Sequence, residues 1–129
     1  MYYVYFIQQA ISKLIKIGFT KDLYSRFDSL QSASPFPLVL WLCFIVKNQR
    51  EAKELEAFFQ FKFRDHQVRG EWFDLNEEEA RYLNDLEMIM LVTAEAVKLE
   101  PAWKVEINGL RNWSREQAHE FHKRVKRND

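Results

Sequence analysis

The amino-acid sequence predicts an α+β fold, an α/β sandwich in the order β-β-α-β-α with a three-stranded sheet flanked by helices, followed by a C-terminal helical extension. Three observations carry this. The chain opens with two short aromatic and β-branched runs parted by a polar turn. A proline-bounded apolar run lies in its first half, and the charged segments on either side of that run have apolar residues at helical spacing. At 129 residues, 47% hydrophobic and 16% aromatic, the chain has the material for one domain core and a small appendage.

Tyr2 to Ile7 and Leu14 to Phe19 read as a hairpin turning around Ser12 and Lys13. Thr20, after Gly18, is a candidate N-cap for a first helix carrying Leu23, Phe27 and Leu30 and ending near Ser32. Ser34-Pro35-Phe36-Pro37 breaks that helix, because each proline drives its predecessor out of the helical region. Leu38 to Val46 then reads as a third strand, buried on both faces and central in the sheet. From Gln49 to about Phe63, Ala52, Leu55, Phe58, Phe59 and Phe63 recur among charged residues, so a second helix packs an aromatic stripe.

Arg64 to Gly70 reads as a polar connection, and Asn76 with Glu79 forms a capping box that starts a third helix running through Leu83, Leu86, Met90 and Val97. Its middle, Met88 to Val92, is apolar all round, so it is wrapped by the rest of the fold or meets another subunit; a monomer or a weak homodimer through this helix is expected. Trp103 to Ile107 suits a short strand before the Asn108-Gly109 turn, and Ser114 with Gln117 caps a last helix rich in Arg and Lys. The chain therefore divides into a core at 1–76 and a helical extension at 77–129.

Several function classes are disfavoured. With 19 basic and 19 acidic residues, no global charge drives the chain onto nucleic acid or an acidic membrane, so any such attraction is local. The apolar run from Pro35 to Val46 is too short for a membrane span, which needs roughly 20 residues. A lone cysteine, Cys43, excludes an intrachain disulfide and zinc-thiolate chemistry and suits a reducing compartment, so a cytoplasmic protein without a signal peptide is expected. His66, His119 and His122 form no HExxH, and the three glycines form no phosphate-cradling loop.

What remains is a set of groups suited to phosphodiester hydrolysis. Tyr2, Tyr3 and Tyr5 lie on the first strand, Lys16 on the second, Arg26 on the first helix, and Glu71 follows Gly70. A carboxylate can hold a hard metal, a cation can neutralise charge on the phosphoryl oxygens, and a base or water-orienting group prepares the nucleophile. On spacing alone each also has a plain reading. Arg26 can pair with Asp22 on a helix surface for ~0.3–0.5 kcal/mol. Glu71 can be a solvated loop acid, Tyr5 a packed strand aromatic and Lys16 an edge-covering lysine.

The segments Tyr3-Val4-Tyr5, Lys16-Ile17-Gly18, Arg26 eight residues after that glycine, Ser34-Pro35 and Gly70-Glu71-Trp72-Phe73 together resemble the GIY-YIG nuclease superfamily, and within it the T5orf172 or Mug113-like branch. The resemblance covers roughly residues 1 to 76, and the family's order of elements is the one read above. It implies a metal-dependent endonuclease that hydrolyses a nucleic-acid phosphodiester, most readily DNA. In that reading Arg26 faces the scissile phosphate, Glu71 is the single protein ligand of Mg2+ or Mn2+, Tyr5 helps activate the attacking water, and Lys16 orients water or contacts phosphate. Tyr3, with Arg115, Lys123, Arg124, Lys126 and Arg127 of the last helix, is a candidate for nucleic-acid contact.

The sequence departs from the family pattern in three places. Lys16 stands where the second motif usually has tyrosine, and Tyr3 where the first commonly has glycine. The second helix offers Phe58, Phe59, Gln60 and Phe61 where a histidine is frequent, and His66 falls out of register. The alternatives are thus a catalytically inactive binding module of the same fold, or an interaction protein assembling through the third helix.

Overall fold

The structure, a computed structural model, describes residues 1–79, 81–83, 85, 86, 116, 119, 120 and 123. Strands β1 (Tyr2–Gln9) and β2 (Ile15–Thr20) form the expected hairpin. Its turn places Lys13 at φ 65°, a left-handed conformation held between the Lys13 N–H to Gln9 carbonyl bond of 2.8 Å and the Gln9 N–H to Leu14 carbonyl bond of 2.9 Å. Helix α1 (Leu23–Ser32) follows, but its N-cap is Asp22 rather than Thr20. The Asp22 carboxylate accepts the Ser25 N–H at 3.0 Å, while the Thr20 hydroxyl bonds the Asp22 backbone and shapes the approach.

β3 (Leu38–Val46) pairs antiparallel with β1, and α2 (Gln49–Lys62) is capped by Asn48, whose side chain accepts the Glu51 N–H at 2.9 Å. The connection from Arg64 to Gly70, read from sequence as loop, contains a 3-10 turn (Arg64–His66) and a short strand β4 (Gln67–Arg69) that hairpins onto β5 (Trp72–Phe73). The sheet accordingly has five antiparallel strands in the order β3-β1-β2-β5-β4. This corrects the three-stranded sheet expected from sequence, to which β5 and β4 are added beyond β2. β4 escaped notice because all three of its residues are exposed, so it has no apolar alternation to detect.

β3 is also not central: it forms one edge of the sheet. Its continuous apolar run arises because both faces of the sheet are covered. Leu42, Phe44 and Val46 join Val4, Phe6, Ile15 and Ile17 under α2, whose Ala52 and Phe59 complete one cluster. Leu38, Leu40, Cys43 and Ile45 join Tyr3, Tyr5 and Ile7 under α1, through Leu23 and Phe27. A bulge opposite Phe6 and Ile7 inserts Trp41 as an extra residue, which lets the strand change which alternate residues face each layer.

In α2 the aromatic stripe is narrower than the sequence suggested. Phe59 is fully buried, meeting Phe6 at 5.0 Å and Phe44 at 5.3 Å between ring centroids, whereas Phe58 is 46% exposed. A turn of 100° per residue cannot bring both neighbours to one narrow contact line, and Phe59, in phase with Ala52 and Phe63, wins. The Asn76–Glu79 capping box is present: the Asn76 N–H donates to Glu79 Oε1 at 3.0 Å and the Glu79 N–H to Asn76 Oδ1 at 3.1 Å. Helical residues follow at 77–79, 81–83, 85 and 86, with Leu83 buried against the α2 side of the core. The expectations for Met88 to Val92, Met90, Val97, Trp103 to Ile107 and the cap at Ser114 lie outside the described residues.

Phe59→Ala removes the ring on which three other core aromatics rest and is expected to cost about 3–5 kcal/mol. Phe61→Ala, at a position 66% exposed, is expected to stay within about 0.5 kcal/mol of wild type. Chemical denaturation of both variants checks the difference.

Candidate active site

The site is organised by β2, whose neighbour on one side is short. β5 pairs only with Ile15 and Lys16, through Phe73 and Trp72, and the Glu71 carbonyl accepts the Ile17 N–H at 3.1 Å. Past that point no strand lies beside the edge of β2 among the described residues. In an antiparallel strand the N–H and C=O of residues 17 and 19 point the same way, so the Ile17 carbonyl and the Phe19 N–H would be left without ladder partners. Two side chains of α2, one helical turn apart, take them up. The Gln60 amide donates to the Ile17 carbonyl at 3.1 Å, and the Glu56 carboxylate accepts the Phe19 N–H.

Across β2 on its other side, Gly18 is the Cα partner of Tyr5 in β1. A Cβ added at Gly18 would overlap the Tyr5 hydroxyl and lie 2.6 Å from its Cζ, so the bare glycine is what allows the phenol to lie flat over the strand. Tyr5 is 2% exposed, and burial is the main cause that pushes its hydroxyl up from 10.0 to about 12. Arg26 opposes that shift, and Glu71 and Glu56 add to it. The phenol therefore stays protonated at neutral pH and is a hydrogen-bond donor rather than a proton acceptor.

Lys16 follows the alternation of β2, pointing away from the layer that holds Ile15 and Ile17. Its ammonium lies 3.1 Å from Glu71 Oε2 and 5.6 Å from the centroid of the Trp72 ring. Glu71 sits between Gly70, whose φ of +55° makes the turn, and Trp72, which is locked in register with Lys16. The geometry of the β4–β5 hairpin thus fixes where this acid stands, even though its side chain is 47% exposed.

These groups converge on one open cleft of about 490 Å³, lined by Tyr5, Lys16, Gly18, Arg26, Glu56 and Glu71 together with Phe19, Thr20, Lys21 and Leu30. Among the described residues, three cations (Lys16, Lys21, Arg26) face two carboxylates (Glu56, Glu71), a balance that favours an anionic ligand. All four residues expected from sequence to carry the chemistry, Tyr5, Lys16, Arg26 and Glu71, line it. Tyr3 does not: at 2% exposure it is part of the α1-side core. Lys123 is helical and exposed, 3.8 Å from Glu120, and His119 of the same stretch lies 4.0 Å from Tyr24 of α1 between ring centroids. Arg115, Arg124, Lys126 and Arg127 lie outside the described residues.

The reading from sequence missed Glu56 and Gln60. Glu56 carries a carboxyl raised from its usual 4.5, first by burial and then by Glu71, against the lowering effect of the Phe19 N–H and Lys16. Its only sequence signal was its place at i−4 from Gln60 on the flank of the α2 stripe, where a glutamate ordinarily reads as a solvated charge. His66, considered as a stand-in for the family histidine, instead lies 3.2 Å from Glu79 Oε1 at the capping box.

A half-exposed carboxylate at the mouth of a cleft offers hard oxygen donors, and Mg2+ or Mn2+ bound through one carboxylate and several waters suits that donor set. Of the cleft's side chains, Glu71 could hold such an ion if Lys16 yielded the oxygen it now contacts. No group of three or more His, Cys, Asp or Glu side chains that could hold a metal occurs among the described residues.

The architecture and the cleft define an α+β domain whose open end is built around an anion-attracting set of polar groups. Residues 2–85 match the T5orf172 domain, a stretch that contains all five strands and every residue of the cleft. The chain belongs to the T5orf172 domain family, which is associated with the GIY-YIG-like nuclease superfamily. The match runs past residue 76 into the helical residues that follow. No curated protein and no solved structure matches the chain. No helix among the described residues is long and apolar enough to cross a membrane.

The raised Tyr5 hydroxyl makes a pH prediction. Below pH 10 the phenol is neutral in both the folded and unfolded chain and contributes no slope. Between 10 and about 12 the unfolded chain releases its proton first, so stability falls as pH rises. The whole interval corresponds to roughly 3 kcal/mol. Tyr5→Phe is expected to remove this loss, and the difference between wild type and variant in denaturation midpoints from pH 9 to 12 measures it.

Proposed function

We propose that this chain is a metal-dependent endonuclease that hydrolyses nucleic-acid phosphodiesters, with DNA as its substrate class. The single observation that carries this reading is the convergence of Tyr5, Lys16, Arg26 and Glu71, from β1, β2, α1 and the β4–β5 turn, on one cleft. These four groups are spread over 66 residues of sequence, from Tyr5 to Glu71, and each has a distinct use in phosphoryl transfer.

Arg26 approaches from a helix flank and is exposed, so its guanidinium can reach a phosphate entering from solvent and neutralise charge on the non-bridging oxygens. The Tyr5 phenol, fixed over Gly18, donates a hydrogen bond to the water or phosphate oxygen beside it. Lys16 adds a second cation at the floor of the cleft and turns from Glu71 to substrate as the carboxylate is engaged. A divalent ion held by Glu71 would supply electrostatic stabilisation of the phosphoryl oxygens and of the attacking and leaving oxygens. The alternative, a module of the same fold that binds without cleaving, has one observation in its favour: Lys16 already neutralises the carboxylate on which the metal would sit.

Supercoiled plasmid with Mg2+ or Mn2+ should be converted to nicked or linear product, and EDTA should stop the reaction. Arg26→Ala and Glu71→Gln are each expected to lower the rate by about 100-fold or more, as loss of a group acting on transition-state charge does. Intact binding of the plasmid with no cleavage in either metal overturns the enzyme reading and leaves the binding module.

A further inference from the structure

Resting on the nuclease reading above, we propose that Glu56 is a further catalytic residue, the proton acceptor for the water that attacks the phosphodiester. Three features of the site lead there. First, the cleft needs an acceptor, and the groups expected from sequence do not provide one. Tyr5 holds its proton to about 12, Arg26 stays charged, Lys16 is the cationic half of an ion pair, and Glu71 is the carboxylate for the metal. Among the described residues, Glu56 is the remaining carboxylate in the cleft lining.

Second, Glu56 is positioned rather than loose. Its carboxylate accepts the Phe19 N–H at the unpaired edge of β2, and the Gln60 bond to the Ile17 carbonyl one turn later fixes the helix that carries it. A solvated surface acid makes neither arrangement. The edge of β2 thus aims a carboxylate from α2 into a cleft otherwise built by β1, β2, α1 and the β4–β5 turn.

Third, its surroundings suit proton transfer. Burial raises its proton affinity above that of an ordinary glutamate, which moves it toward the range useful to a general base, while Lys16 and the Phe19 N–H restrain the rise; Glu71 adds to it only in the metal-free site. The other charged or titratable groups facing the cleft are Tyr5, Lys21 and Arg26. In the step itself, a water O–H bond breaks and its proton passes to the Glu56 carboxylate as the water oxygen bonds to phosphorus. The bond from phosphorus to the leaving oxygen breaks with its electron pair, and that oxygen takes a proton from solvent water. Glu56 then returns its proton to solvent, so the balance is one water consumed, giving a phosphomonoester and an alcohol.

The test is Glu56→Gln, which keeps an oxygen acceptor for the Phe19 N–H and so preserves the positioning role, with Glu56→Asp beside it. Three measurements are made on the full chain: plasmid nicking in Mn2+ across pH 5 to 9, plasmid affinity, and an NMR titration of the Glu56 carboxyl carbon in the metal-free wild type. The expected result is a rate loss of about 100-fold or more in Glu56→Gln, with affinity within about twofold of wild type. The acidic limb of the pH–rate profile should vanish in that variant and persist in Glu56→Asp, and Glu56 should titrate above the usual glutamate range. Wild-type cleavage with Glu56→Gln retaining both its rate and its acidic limb overturns the proposal and leaves the nuclease reading standing. Titration of Glu56 in the ordinary range overturns it independently of activity, and a wild type that binds but never cleaves overturns both.

Discussion

The contact on which the rest of this structure depends is the packing of the Tyr5 phenol over Gly18 across the β1–β2 pair. Those two strands are the first hairpin in the sequence and lie inside the sheet, with β3 on one side and β5 on the other. A side chain of any size at position 18 would meet the phenol, so residue and partner specify one another. The result is a buried hydroxyl at the base of a cleft rather than an apolar plug, and the cations and acids around it are arranged about a neutral donor. A cost comes with it, since a polar group kept from water has to be offset by packing elsewhere in the α1-side cluster.

A second constraint is the shortness of β5. Had it run the full length of β2, its backbone would have satisfied Ile17 and Phe19, and α2 would have packed only through its aromatic stripe. Because it stops at Lys16, the ladder is continued by the side chains of Gln60 and Glu56. The half-paired edge is therefore where sheet, helix and turn come together, and among the described residues no strand fills the cleft there. The same truncation puts Glu71 at the strand's beginning, beside Lys16, so one local irregularity locates both carboxylates of the site.

Much of this was legible in the sequence, and the reasons differ by element. The β1–β2 hairpin, α1 and α2 follow from periodicity, and the family-type spacing of Tyr5, Lys16, Arg26 and Glu71 named the residues that line the cleft. The edge position of β3 was not legible, because burial by helices on both faces gives the same apolar run as burial between neighbouring strands. β4 was hidden by its exposure, and Phe58 was credited to the core because adjacent aromatics on a helix look alike until the packing line chooses one. Glu56 was invisible for a deeper reason: its placement goes with a backbone group, the Phe19 N–H, that β5 does not pair on a strand some 40 residues earlier, and no local pattern records where a ladder ends.

If these side chains form one reaction centre rather than a set of neighbouring surface charges, Arg26 and Glu71 act on the same transition state. A double-mutant cycle on Arg26→Ala and Glu71→Gln, read by single-turnover cleavage of supercoiled plasmid with intact plasmid binding, tests it most directly. Groups acting on one transition state are strongly non-additive, so the double variant should be within about threefold of the slower single variant. A double variant slowed by the full product of the two single losses would show that the residues act independently and share no reaction centre.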